Sequence, residues 1–406
     1  MTVAESHVFN ALRKVIRYLN LYSGAPYTVT DEGRLEINRF RKWAETLLTF
    51  AALGVEIHVQ IYRTNRRTNS LYAMLSDARE ILKIVFVLAY VFDLWRNHGK
   101  MVAIFEKIRE LDGVFQLKKK HEERLRKCVK LWTIVLTVAC ASFIVLKHAK
   151  DDRYRASILL VPLTVRLYFQ RTVSEILMAV FALLIKLYVE ALHERIRELC
   201  RVPEGPITVK AAFPVYKSGG DGERKNSPET VDDLRNLFRR VHDLKNDIND
   251  AFSFRLWLLT VNSFTDIVFF CFANIVFFQY ASETGLKMWF QMVLADAWLV
   301  LLLVKFILVI NICHNASRNM ENITTALYEL RSCCCNQIVR DELMAFAEEV
   351  RARDPYFVAL HLFRAHCPLI SSMAQAIVMH IIILLQFQYS STERGGHTIS
   401  DLLSRT

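Results

Sequence analysis

Amides and carboxylates set inside long apolar runs are the residues of this sequence equipped to do chemistry. Near the carboxyl end, Ser372, Gln375, Met379, Ile383 and Gln386 follow one another at steps of three, four, four and three within the run Leu369–Tyr389. On a helix that spacing makes a single stripe. A glutamine amide facing hydrocarbon loses its hydrogen bonds, so the stripe has to face protein or water. Two arrangements satisfy it: polar contacts between helices of one bundle, or the wall of a pore. Farther back, Asp266 and Asp296 sit in two other apolar runs, near Phe269, Phe270, Trp289 and Trp298. A carboxylate in a membrane segment costs about 2.5–3.5 kcal/mol on insertion scales, which makes each a ligand-site candidate. An ion pair or hydrogen bond inside the bundle explains them equally well.

Nothing equipped to make or break covalent bonds accompanies these groups. GxSxG, HExxH, a phosphate-cradling glycine loop and a dinucleotide fingerprint are all missing. With 12 glycines in 406 residues there is little room for such loops, so neither an enzyme nor a cofactor is expected. The nine cysteines show no paired spacing. Cys128, Cys140, Cys271 and Cys367 lie in or beside apolar runs, while Cys333, Cys334 and Cys335 are adjacent and have no histidine at ligand spacing, so no metal is expected. Reduced, unmodified thiols are the plain reading, with palmitoylation as the alternative. The basic run Lys118–Lys127 lacks interleaved aromatics. It reads as a solvated or lipid-headgroup-facing helix, not a nucleic-acid patch.

The elements that must position the stripe and the carboxylates are membrane helices. The chain is 53% hydrophobic, carries a formal charge of +11 and has a mean hydropathy of +0.20, a combination that soluble domains seldom show. Seven apolar runs are long enough to span: Trp43–Tyr62, Ile81–Trp95 (extendable toward Leu71), Val129–Leu146, Glu175–Leu192, Phe252–Phe278, Leu286–Ile312 and Leu369–Tyr389. Lys186, Glu190 and Lys305 interrupt two of them, and lysines near helix ends can snorkel to the headgroups. No cleavable signal peptide opens the chain, so the first span is expected to act as its own insertion signal.

Charge sets the orientation. With the amino terminus inside, the inner segments carry 34 Lys and Arg and the outer segments 12, which favours a cytosolic amino terminus and an extracellular carboxyl terminus. G-protein-coupled receptors have the reverse orientation, and their NPxxY motif is absent from the last run. The sequons at Asn315 and Asn322 then face the cytosol and stay bare. Val231, Leu234, Leu237, Phe238, Val241, Leu244 and Ile248 recur at helical steps, so an amphipathic cytosolic helix is expected to run into the fifth span. Lys217–Pro228 reads as a flexible linker.

The stretch beginning at Pro355, "PYFVALHLFRAHCPLISSMAQAIVMHIIILLQFQ", resembles the carboxyl-terminal signature of insect gustatory receptors: Thr-Tyr, five apolar residues, then Gln-Phe. Gln386-Phe387 follows the apolar Ile381–Leu385, while Met379-His380 stands where the signature has Thr-Tyr. The layout of spans and the continuation "ALHERIREL" after the fourth are also similar to that family.

The resemblance implies an all-α membrane protein with seven transmembrane helices, in a plasma membrane of gustatory receptor neurons. It also implies a tetrameric, tastant-gated, non-selective cation channel, homomeric or built with related receptors, whose last helix lines the pore. Gln375, Met379, Ile383 and Gln386 then become pore-lining or gate positions, with Phe387 at the outer mouth. Asp266, Phe269, Phe270, Trp289, Asp296 and Trp298 fall in the outer half, where family members bind tastants. An acidic aromatic pocket suits an amine or alkaloid and hence a bitter or unassigned compound. The expected partners are a small tastant, permeant cations, membrane lipids and related subunits, with no nucleic acid. His380 lies about 100 degrees from Met379 on a helix, as a neutral, packed side chain or a pore-side pH sensor. The expected regions are a cytosolic segment 1–42, a six-span bundle 43–312, a cytosolic segment 313–366, and the last span with its tail, 367–406. A secondary transporter is the rival class, although neither inverted repeats nor glycine-broken helices stand out.

Overall fold

The computed structural model describes residues 27–29, 35–64, 71–115, 160–200, 230–279, 286–334 and 336–395, with single residues and short stretches between 117 and 138. In chain order these form β1 (Tyr27–Val29), β2 (Leu35–Ile37), α1 (Arg39–Thr64), α2 (Leu71–Arg96), α3 (His98–Phe115), α4 (Leu160–Cys200), α5 (Val231–Gln279), α6 (Leu286–Cys333), α7 (Gln337–Ala352), β3 (Val358–Ala359), β4 (Phe363–Arg364) and α8 (Cys367–Gly395). The strands make two small antiparallel hairpins, β1 with β2 and β3 with β4. Most of the third expected span, the linker Lys217–Pro228, Cys140, Cys335 and the side chain of Trp289 lie outside the described residues.

Local chemistry fixes where the long helices begin. Thr230 and Asp233 form a reciprocal cap at the start of α5: the Asp233 N–H donates to Thr230 Oγ1 at 3.2 Å and the Thr230 N–H to Asp233 Oδ2 at 3.1 Å. The side chain of Asn336 caps α7 by accepting from the Ile338 N–H at 2.9 Å. All seven apolar positions expected on one face of α5 are buried, and the helix continues unbroken into the apolar run. α4, α5 and α6 form the central stack, with α7 against α6, α2 and α3 against α5, α1 against α4, and α8 mainly against α5. Helix α6 crosses the boundary expected at residue 313 without a break.

Four helices among the described residues are long and apolar enough to cross a membrane, namely α4, α5, α6 and α8. The first two expected spans fall on α1 and α2, whose apolar content is diluted by charges such as Arg79, Glu80, Lys83 and Asp93. Several charges are paired between helices: Arg79 Nε meets Asp266 Oδ1 at 2.8 Å, Arg255 pairs with Asp93, and Lys305 Nζ meets Glu175 Oε2 at 2.7 Å. The expected snorkelling of Lys305 is therefore replaced by a different solution. Its side chain is 1% exposed and points into the α4–α6 contact, because a carboxylate waits there.

One carboxylate fastens α7 to α5. Glu349 accepts from Arg235 Nε at 2.7 Å, Arg239 Nε at 2.6 Å and Arg353 Nη2 at 3.0 Å. Hydrogen bonds from Arg239 hold its acid down to about 2, against the desolvation that opposes them.

Candidate functional site

Helix α8 differs from the other spans in what it touches. Met373 is buried, and Leu369, Ile370 and Ile377 pack partly against the core, so one face binds the bundle. Gln375, Met379, Ile383, Gln386 and Phe387 are all exposed; the first four lie on the side away from it, while helical spacing puts Phe387 in line with His380. In its most apolar stretch 11% of α8 is buried, against 72% for α4 and 67% for α5. The stripe inferred from spacing is thus a continuous surface carrying two primary amides and no partner from the described chain.

His380 is turned toward α5. Its Nδ1–H donates to the Ala376 carbonyl at 2.8 Å, and its ring meets Phe264 edge-on, with centroids 5.2 Å apart and planes at 88°. The imidazole, exposed overall, is bonded to its own helix and touches a neighbour with its edge.

The joint between α7 and α8 is tied to α5 by bonds that hydropathy does not reveal. The Asp354 carbonyl accepts from Lys245 Nζ at 3.0 Å and His242 Nε2 at 3.3 Å. The Val358 N–H donates to Asn249 Oδ1 at 2.7 Å and the Leu360 N–H to Ser253 Oγ at 2.6 Å. Burial brings the Lys245 ammonium down to about 8 and lowers His242. Leu360 and His361 sit at φ 48° and 58°, a left-handed conformation that side chains of this size rarely adopt. The β3–β4 hairpin holds them there through the bond from the Leu362 N–H to the Ala359 carbonyl at 2.8 Å.

The two candidate carboxylates have different surroundings. Asp266 is buried, accepts from Arg79 and takes a second bond from Asn262 Nδ2 at 2.9 Å. The Arg79 guanidinium lies 4.6 Å from the Phe269 ring centroid and 4.5 Å from that of Phe270. Arg79, which spacing did not single out, thus occupies the place beside Asp266 where a cationic guest was envisaged. Asp296 is exposed and accepts from Asn274 across the α5–α6 contact. Trp298 is buried with Leu302, and Phe270 packs against them. The structure therefore gathers Asp266, Phe269, Phe270 and Trp298, and leaves Asp296 at the edge.

The sequence profile described as 7tm Chemosensory receptor matches residues 12–391. The chain belongs to the seven-transmembrane chemosensory receptor family. The receptor's fold is similar to that of the insect olfactory receptor OR5 from Machilis hrabei in complex with eugenol, at TM-score 0.68 and 14% identity, covering 93% of this chain and 99% of that one. The OR5 structure without that ligand gives TM-score 0.65 at 12% identity, with the same coverage. No curated protein matches the sequence.

Proposed function

We propose that the receptor is a gustatory receptor working as a tastant-gated, non-selective cation channel. Four copies surround one axis, each contributing α8 to the pore wall. The observation that carries this reading is the exposed stripe of α8, because the side chains of Gln375 and Gln386 have no acceptor or donor among the described residues and cannot be left facing lipid. Fourfold assembly puts the amides against water and brings Met379 and Ile383 together as an apolar constriction that gates by dewetting. The basic excess of the inner segments supports an amino terminus in the cytosol and a carboxyl terminus outside, and the channel works in the plasma membrane of gustatory neurons.

For the ligand, the aromatic group around Phe269, Phe270 and Trp298 supplies stacking surface. With Asp266 already paired to Arg79, Asp296 is the carboxylate accessible to an amine. A bitter, nitrogen-containing compound fits that edge.

Single cysteines at Gln375, Met379, Ile383 and Gln386 test the pore. Each should react with a small water-soluble thiol reagent and block tastant-evoked current, while Leu385→Cys reacts slowly. Protection of all four in a responding, surface-expressed channel would show that the glutamines serve as contacts between helices. Stoichiometric uptake without single-channel steps would instead indicate a transporter. Asn315 and Asn322 should remain free of glycan.

A further inference from the structure

We propose that the receptor binds a phosphorylated polyol in a basin at the inner root of the bundle, where the basic stretch following α3 meets α4 and α6. The basin has a volume of about 340 Å³ and is lined by Lys120, His121, Arg124, His193, Arg197 and Asn322, among others. Its cytosolic position follows from the proposed topology, and its chemistry is independent of it.

Charge balance points to the guest. Of the two carboxylates at the basin, Glu190 is already satisfied: Arg124 Nη1 donates to it at 2.8 Å, Asn319 Nδ2 at 3.3 Å, and Lys186 Nζ lies 3.6 Å away. Glu194 is engaged as well. Lys120 and Arg197, on separate elements, make no ion pair or hydrogen bond among the described residues, yet both border the same basin. Two uncompensated cations converging on a polar concavity favour an anion, and guanidinium and ammonium groups together favour phosphate.

Size and polarity narrow the choice. The volume has room for roughly ten waters at about 30 Å³ each, far more than one inorganic phosphate requires. Asn319, Asn322 and two imidazoles add neutral donors and acceptors suited to hydroxyl groups. A ring carrying several phosphates and hydroxyls satisfies both demands, either as a free inositol phosphate or as the headgroup of a phosphoinositide. The Lys118–Lys127 run then has a definite task beyond general attraction to the membrane: among its described charges, Lys120 and Arg124 line the basin.

The test uses the full-length receptor, purified in detergent or reconstituted in nanodiscs, and reads thermal unfolding, which does not require channel activity. Inositol hexakisphosphate in detergent should raise the melting temperature by several degrees, whereas sulfate at equal ionic strength should not. If the source is a lipid, the rise appears instead in nanodiscs containing phosphatidylinositol bisphosphate and not in those containing phosphatidylserine. Lys120→Gln combined with Arg197→Gln should weaken the effect at least tenfold, and either single change should weaken it less. Lys127→Gln, an exposed charge of the same run outside the basin, should leave it unchanged. If the double variant unfolds, the Lys120→Gln single variant decides. Absence of stabilisation by both probes, or equal weakening by Lys127→Gln, would overturn the proposal.

Discussion

In the bundle of α4, α5, α6 and α7, apolar faces are buried against one another and charges meet charges, whereas along α8 a similarly apolar composition finds little to cover it. Lys305 is 1% exposed beside Glu175, and Glu349 holds three arginines. On α8, Met379 is 59% and Phe387 63% exposed. Apolar surface facing lipid is ordinary, but unpaired amides in the same helix are not. One region is complete within a single chain, and the other is shaped for something beyond it.

Breaking the complete region should have the largest effect on stability. Lys305→Met removes the buried ammonium 2.7 Å from Glu175, a loss of about 3–5 kcal/mol, and surface protein should collapse. Adding Glu175→Gln should recover a substantial share, measured by surface labelling. If the single variant reaches the surface normally, the pair is dispensable and the contrast with α8 fails.

A smaller loss is expected at the charged fastening of α7. Glu349→Gln removes an acceptor shared by three arginines and should destabilise by about 1–2 kcal/mol, since several of its partners are partly exposed. The acid is depressed in the folded state, so its contribution is fully present above the ordinary carboxylate range and fades as pH falls through about 2. The difference in melting temperature between wild type and variant should therefore be constant near neutral pH and shrink under strongly acid conditions.

At the rim of the aromatic group, Asp296→Asn should leave surface abundance unchanged while weakening the response to a cationic tastant by roughly tenfold, about 1.4 kcal/mol. A proportional fall in surface protein would place Asp296 with the structural charges of the bundle.

The smallest effect on folding is expected at α8. Ile383→Ser lies on the exposed stripe, so stability should change by no more than about 0.5 kcal/mol. Ligand-free current should nevertheless rise, because a hydrophilic constriction stays wet. Destabilisation without a change in basal current would reverse the comparison.

Periodicity made the faces of α5 and α8 legible, because helix geometry maps spacing directly onto direction. It could not reveal which groups meet across helices. Arg79 and Asp266 are 187 positions apart, and a lone arginine near the start of a span reads as a flanking charge until its partner is placed. Lys305 was open to a snorkelling interpretation for the same reason. The α7–α8 joint was hidden more deeply, since its bonds use backbone groups and small polar side chains such as Asn249 and Ser253, which carry no periodic signal.

The length of the central helices has a mechanical consequence. Helices α5 and α6 run 49 and 48 residues, about 70 Å each at 1.5 Å per residue, and neither contains a glycine or proline. Such a rod has no hinge at which to bend sharply. A tilt of about 5° applied at one end therefore moves the other by roughly 6 Å over that length. Ser253, near the middle of α5, holds the strained turn at Leu360 and His361 from which the last helix departs, so a tilt of that rod reaches the turn with no bend between to absorb it.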